Sequence, residues 1–503
     1  LTKKESTHCP ISITFGDSRG GGGGGLVCVD DTIRLDKSNQ SDCASDPGAL
    51  RPYYLSFRNA YLERQEAIES NARTYPRGLP IALKSGGGVR VRDVEDREYI
   101  DCLSGAGTQP LGHNHEVVVD AVRDALSGAV PLQTLDLPTP LKDRFIGDLF
   151  DSLPAEFPNN FKIQFCGPSG ADAIEAALKL VRTATGRRGI LSFRGAYHGM
   201  TSGALSLTGE SGPKAAINGG AAEVQFLPYP SDYRCPFGLG GHAGSEMSAR
   251  YIENLLEDPL SGVPLPAAMI LEVVQGEGGI NPAPDSWLRK IREITEFRGI
   301  PLILDEVQTG LGRTGRLYAF QHAGITPDVL VLSKAIGGGL PLSVVIYRRE
   351  LDHWQPGAHA GTFRGNQLAF AAGAATIRFI SAQRLECNAE EMGCRLQDAL
   401  RSIQSETRCI GHVRGRGLMV GVEIVRADHT DRLAGPPSSS PQMAQKLQNE
   451  CLRRGLILER GGRLGSVIRF LPPLIVTPAE IDEIAGRFRA AVEAAEKTVG
   501  ASA

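Results

Sequence analysis

From about residue 116 onward the chain alternates short apolar runs with stretches of helical periodicity. The runs are Phe161–Phe165, Ile190–Phe193, Ala268–Glu272, Pro301–Leu304, Val329–Leu332 and Val344–Tyr347, and the helical stretches between them include Ala171–Ala184 and Ser286–Arg298. Such alternation predicts an α/β fold built on a mostly parallel sheet. The runs are almost wholly apolar rather than alternating, so helices are expected on both faces. Upstream, Leu62, Ala67 and Ile68 mark an amphipathic helix over Tyr61–Ala72. Val89–Arg92 and Glu98–Asp101 flank a polar turn and predict a hairpin. Downstream, Glu390–Ile403, Pro441–Arg454 and Pro478–Glu496 read as helices of a smaller α+β domain. The division expected is a tail over residues 1–50, an N-terminal lobe over 51–115 that contributes to the small domain, a large domain over 116–372 and a small one over 373–503.

Composition narrows this picture mostly by exclusion. A chain of 503 residues with 41% hydrophobic and 22% charged side chains has room for two or more domains around a large core. A formal net charge of -3 gives no global attraction for nucleic acid. No apolar run approaches the roughly 18 to 20 residues that span a bilayer, and Ile11–Phe15 is too short for a secretory segment, so a cytoplasmic protein is expected. The glycine run Gly20–Gly25 and the polar stretch Asp36–Pro47 supply no core, which predicts a flexible tail. The ten cysteines are scattered without C-x-x-C spacing and read as reduced structural thiols, with no metal site.

The ends of the predicted strands carry the candidate chemistry, where open α/β sheets place their ligands. Phe165 runs into Cys166-Gly167-Pro168-Ser169-Gly170-Ala171-Asp172, a glycine-rich turn opening directly into a helix. Free N–H groups and the helix dipole suit such a turn to a phosphate, although it also serves as an ordinary tight connection. It matches neither the dinucleotide fingerprint nor a P-loop. Pro301–Leu304 delivers Asp305, a carboxylate at the end of a buried strand, which needs either a helix-cap role or a positive partner such as a protonated ring nitrogen. Val329–Leu332 delivers Lys334, where desolvation favours the neutral amine that attacks an aldehyde. Asp305 and Lys334 end successive predicted strands, about one βαβ unit apart.

With these residues in place, the chain over roughly 60–495 resembles the class III (ω-amino acid) pyridoxal-phosphate aminotransferases. The resemblance is carried by Glu69 to Arg77, Ser104 to Thr108, Gly112 to His115, the Ser169 loop, Tyr197 to Thr201, Leu227 to Pro230, Gln275 to Gly279 and Gly361 to Asn366. It implies a fold-type I transferase with pyridoxal 5'-phosphate bound in the large domain. By that resemblance Lys334 holds the cofactor as a Schiff base and moves the substrate proton, Asp305 pairs with the ring nitrogen, Gln308 reaches the ring hydroxyl, and Tyr197 stacks on the ring next to His198. Ser169, Gly170 and Ala171 bind the phosphate, joined by Thr362 from a neighbouring subunit, which implies a homodimer with composite sites. Arg469 binds the α-carboxylate of a keto-acid acceptor and is neutralised by Glu277 when the amine donor is present.

Within that class the chain is similar to the diaminobutyrate-type members of siderophore and related biosynthesis. The implied reaction exchanges L-2,4-diaminobutyrate and 2-oxoglutarate for L-aspartate 4-semialdehyde and L-glutamate. Ornithine-type members carry an arginine where Met200 stands here, and a thioether cannot bind a distal carboxylate. The residue that binds the donor's carboxylate is therefore open. Three alternatives stay open with it: a class III enzyme acting on another diamine, ω-amino acid or aldehyde, an aminomutase or decarboxylase using the same coenzyme, and a non-catalytic scaffold that keeps the fold.

Overall fold

Residues 57–216, 223–426 and 436–500 are described by the computed structural model. The expected tail over residues 1–50 lies outside the described residues. The central sheet has seven strands: β1 (Phe161–Phe165), β2 (Ile190–Phe193), β3 (Val224–Leu227), β4 (Ala268–Leu271), β5 (Leu302–Asp305), β6 (Val329–Leu332) and β7 (Val344–Arg348). Their order across the sheet is β1-β7-β6-β5-β4-β2-β3. Neighbours from β6 through β3 run parallel, and β7 is antiparallel to both β6 and β1.

The two-residue period of a strand divides its apolar side chains between two cores. Ile270, Ile303, Val329, Val331 and Val345 join the helix Gly170–Thr185 on one face through Ile174, Ala177 and Val181. Leu271, Leu302, Leu304, Leu330, Leu332 and Ile346 join a larger cluster with Phe145, Phe370 and Trp287 on the other. That explains why the interior strands Ala268–Leu271 and Val329–Leu332 are apolar at every position, whereas the edge strand Phe161–Phe165 alternates with Lys162 and Gln164. The helix Gly170–Thr185 starts on a Ser169 N-cap and stops at Gly186, whose φ of 67° suits a residue without Cβ.

A second sheet of four strands, Ile410–Arg416, Met419–Ile424, Val467–Phe470 and Glu459–Gly461, places Arg469 between Gly421 and Glu459. A third combines the N-terminal hairpin with a late strand: Leu83–Gly87, Arg90–Asp93 and Glu98–Asp101 are joined by Leu456–Ile457.

Two expectations change. The helix predicted over Tyr61–Ala72 covers only Ala60–Ile68 and buries no side chain. Its few apolar residues are too weak a stripe to dock, and Ser70 and Asn71 favour turns over helix. The strand Val224–Leu227 is absent from the sequence reading because it is a four-residue edge strand, half exposed, with Gln225 interrupting its apolar run.

Buried Glu306, next to Asp305, accepts the backbone N–H groups of Ala319 and Phe320, each at 2.8 Å, and so fixes the loop that follows β5. Burial pushes its carboxyl up to about 7. Glu306→Gln leaves one of those N–H groups without an acceptor and is expected to cost about 1–3 kcal/mol in denaturant unfolding. A carboxyl whose folded pKa is raised is penalised once ionised, so wild type regains stability as pH falls from about 7 toward 4.5. The variant carries no such titration, so wild type's advantage is expected to widen over that range; a constant difference would contradict the assignment.

Candidate active site

Asp305 stands at the end of β5 and Lys334 just beyond the end of β6. β5 and β6 pair in parallel with Asp305 opposite Val331, so Asp305 ends one strand beside the segment that delivers Lys334 on the other. Lys334 opens a short 3-10 turn, Lys334–Gly337, with a φ of 48°. That left-handed conformation is strained for a residue with a Cβ, by about 1–3 kcal/mol, and is characteristic of functional positions. Two contacts hold it there. The Ser333 hydroxyl donates to Leu342 O at 2.8 Å, and the turn presses onto the helix Gln367–Gln383. A Cβ on Gly338 would lie 2.5 Å from Thr376 Oγ1, and one on Gly373 would lie 2.2 Å from Ile336 O. Gly338 of the turn and Gly373 of the helix thus serve close packing.

Burial lowers the pKa of the Lys334 amine, while Glu277 and then Asp305 pull it back up and Arg469 adds to the lowering. The lysine, the strand-end acid and the arginine pair therefore share one electrostatic site. Asp305 accepts from His198 Nδ1 at 2.7 Å through one oxygen and from Val307 N at 3.0 Å through the other. With Nδ1 assigned as donor, His198 Nε2 is left buried with no partner. Gln308 donates to Ala106 O at 3.2 Å, and its Oε1 packs against Gly276, where a Cβ would lie 2.1 Å away. Tyr197 is half-buried, and its N–H donates to Glu272 at 3.0 Å.

Arg469 is 0% exposed, and the two acids against it, Glu277 at 34% and Glu459 at 17%, are more open. Arg469 Nη1 donates to Glu277 Oε1 at 2.7 Å. Nη2 lies 2.6 Å from Glu459 Oε2, but no N–H of that nitrogen points along the contact, so this is an ion pair without a directed hydrogen bond. Nε has no acceptor either. Burial works to lower the arginine's pKa, and the two glutamates outweigh it, leaving it raised.

At the glycine-rich turn, Ser169 Oγ accepts from Asp172 N at 3.4 Å as the helix cap. The first-turn N–H groups of Gly170 and Ala171 precede the residues whose N–H groups find acceptors within the chain. A Cβ on Gly170 would lie 3.0 Å from both methyls of Val307, so only glycine fits here without displacing the loop after Asp305. Thr362 is exposed and makes no hydrogen bond to this site among the described residues. Cys166, Asp172 and His359 gather within 4.8 Å. His359 Nε2 and Gly167 N occupy Asp172 Oδ2, and burial pushes the thiol up, so this group reads as internal bonding of the turn. The seven described cysteines are all free. No helix among the described residues is long and apolar enough to cross a membrane.

Two acids of this site escaped the sequence reading. Glu272 accepts from Tyr197 N and Gly276 N and is pushed up to about 7, chiefly by burial, tying the Tyr197 segment to the Glu277 segment. Its signal was available, since it ends the predicted strand Ala268–Glu272 as Asp305 ends its own. Glu459 had no such signal, because its position follows only from cross-strand register with Arg469.

The family model for class III aminotransferases matches residues 72–492, a span that holds Lys334, Asp305, the glycine-rich turn and the Arg469–Glu277 bridge. The chain belongs to that family. It is 57% identical over 433 residues to a diaminobutyrate–2-oxoglutarate aminotransferase of Rhizobium meliloti, covering 86% of this chain and 92% of the relative. It is 49% identical to another from Haemophilus influenzae, covering 88% and 97%. Among solved structures it is similar to an (S)-enantioselective ω-transaminase from Thermomicrobium roseum, with a TM-score of 0.77, 29% identity and coverage of 87% and 99%. A PLP-bound amine transaminase from an uncultivated Pseudomonas species aligns with a TM-score of 0.75 and 28% identity over 85% and 97%.

The electrostatics of the lysine predict its titration. In protein stripped of small molecules, Lys334 is expected to label with an amine-reactive reagent at a midpoint below the ordinary lysine value of about 10.4. Glu277→Gln should lower that midpoint further and Asp305→Asn by a smaller amount, since both carboxylates raise it. Peptide-resolved mass spectrometry against pH reads this directly, and a midpoint at or above 10.4 would contradict it.

Proposed function

We propose that this chain is a pyridoxal-phosphate-dependent aminotransferase that moves the terminal amino group between L-2,4-diaminobutyrate and 2-oxoglutarate, giving L-aspartate 4-semialdehyde and L-glutamate. The two relatives at 57% and 49% identity support the substrate pair. The observation that carries the reading is the bridge from buried Arg469 to the more open Glu277 beside Lys334.

The residues present fit the cofactor. His198 orients the Asp305 carboxylate, which suits a protonated ring nitrogen, and the first-turn N–H groups of Gly170 and Ala171 supply donors for a phosphate. Lys334 supplies an amine whose neutral form burial favours. We assign Tyr197 and Gln308 to the face and hydroxyl of the ring, Ser169, Gly170 and Ala171 to the phosphate, and exposed Thr362 to the phosphate of a second subunit in a homodimer. When bound, pyridoxal phosphate supplies an electrophilic aldehyde and an electron-accepting ring.

The chain's own residues then do the rest. Lys334 would take up the proton released from the carbon bearing the reacting amine and give it back later in the cycle, a task suited to an amine of lowered pKa. Asp305 would hold a proton on the ring nitrogen of the bound cofactor, and His198 keeps Asp305 in place. Arg469 resolves a conflict of shape: the acceptor has a carboxylate beside its reacting carbonyl, whereas the donor has only methylenes there. Glu277 covers the guanidinium when the donor is bound and swings away for the acceptor, so a buried cation is never left unpaired. Because one site serves both substrates, the first product leaves before the second substrate enters.

With the loaded enzyme, wild type is expected to form glutamate from diaminobutyrate and 2-oxoglutarate, and a donor panel that shows no such turnover would refute the substrate assignment. Arg469→Ala should lower the 2-oxoglutarate half-reaction by at least about 10- to 150-fold, the worth of hydrogen bonds to a charged group, and affect the diaminobutyrate half-reaction far less. Stopped-flow absorbance of each half-reaction separates the two. Equal losses would refute the switch.

A further inference from the structure

Arg469 needs one anion to neutralise it and faces two, from separate segments of the chain. Glu277 makes the directed hydrogen bond; Glu459 touches Nη2 without an N–H aimed at it. The second carboxylate is thus poorly placed as a partner for the arginine, yet it is held against it by the register of two antiparallel strands. It also works against the acceptor, since 2-oxoglutarate brings two negative charges into a site that already holds Glu277 and Glu459. A resident anion of this kind is explained by a ligand that brings a cation to meet it.

Resting on the function proposed above, we infer that Glu459 recognises the second, non-reacting ammonium of an α,ω-diamino acid donor and so sets the preference for diamino acids over simple ω-amino acids. The donor chemistry fits the charge pattern. 2,4-Diaminobutyrate reacts through one amine and keeps the other positively charged, whereas 4-aminobutyrate is the same molecule without that group. Glu459 shares its field with Lys334, Glu277 and Arg469, and the Tyr75 hydroxyl acts on the same carboxylate. Tyr75 is half-exposed, so this corner stays open to a ligand. Burial pushes the Glu459 carboxyl up, with Arg469 opposing and Glu277 adding, as for an acid that lacks its full complement of positive charge. An incoming ammonium supplies what is missing, and Glu277 stays on Arg469 while the donor is bound.

The test is Glu459→Gln, an isosteric change, in cofactor-loaded enzyme whose absorbance verifies loading. Half-reaction kcat/KM is measured for two donor pairs that differ only in the α-ammonium: 2,4-diaminobutyrate with 4-aminobutyrate, and ornithine with 5-aminovalerate. The ratio of diamino to monoamino donor is expected to fall about 10- to 150-fold, the range for a hydrogen bond to a charged group. The KM for 2-oxoglutarate should stay level or fall, since an anion beside Arg469 has been removed. An unchanged ratio, or a raised KM for 2-oxoglutarate, would overturn the inference and make Glu459 a structural support for Arg469. Tyr75→Phe provides a second reading and is expected to lower the same ratio by a smaller factor; an unchanged ratio in both variants overturns the inference even if one folds poorly. Failure of wild type with diaminobutyrate but success with ornithine would refute the proposed substrate and leave the ratio test of Glu459 in force.

Discussion

The structure is organised around the cost of taking one amine out of water. Lys334 follows a strand whose four residues are all buried, and it is held in a left-handed turn by glycines that let the loop touch the helix behind it. Desolvation favours the neutral, nucleophilic form. Unopposed, it would also leave the site with no charge complement for a cofactor or substrate. The carboxylates of Glu277 and Asp305 restore that complement, and sheet register places Asp305 beside the lysine without any loop having to find it. The rigid β5–β6 pair therefore positions the amine and the acid, while the rest of the site is arranged on segments that the sheet supports.

In the proposed function a second balance governs substrate choice. A fully buried guanidinium is costly unless paired, and a permanent pair would exclude every anionic substrate. The structure meets both conditions by setting Arg469 in the interior of a strand and its partners on more open segments. Glu272 matters here although it touches neither Arg469 nor Lys334 through a hydrogen bond: by holding Tyr197 N and Gly276 N together it fixes the base of the segment from which Glu277 reaches out.

How much of this was legible in the sequence follows from the range of the forces involved. Strands β2 and β6 match their runs residue for residue because they are buried on both faces, while the edge strand β1, alternating in Lys162 and Gln164, matches through its flanking Phe161 and Phe165. The strand β3 escaped because it is only partly buried and Gln225 interrupts its apolar run. Asp305 and Lys334 were readable because strand ends are local features. The pairing of His198 with Asp305, 107 residues apart, and of Glu459 with Arg469 depends on tertiary register, which no local pattern encodes. Resemblance to a known family named His198 and Arg469, but gave no hint of Glu459, and Met200 showed only which residue does not bind the donor's carboxylate.

The central claim is that the amine at the end of β6 carries the cofactor. Reduction of the pyridoxal-phosphate-loaded enzyme with borohydride, followed by proteolysis and peptide mass mapping, tests it most directly. A stable pyridoxyl adduct is expected on Lys334 alone. An adduct on any other lysine, or a fully loaded enzyme that yields none, would contradict it.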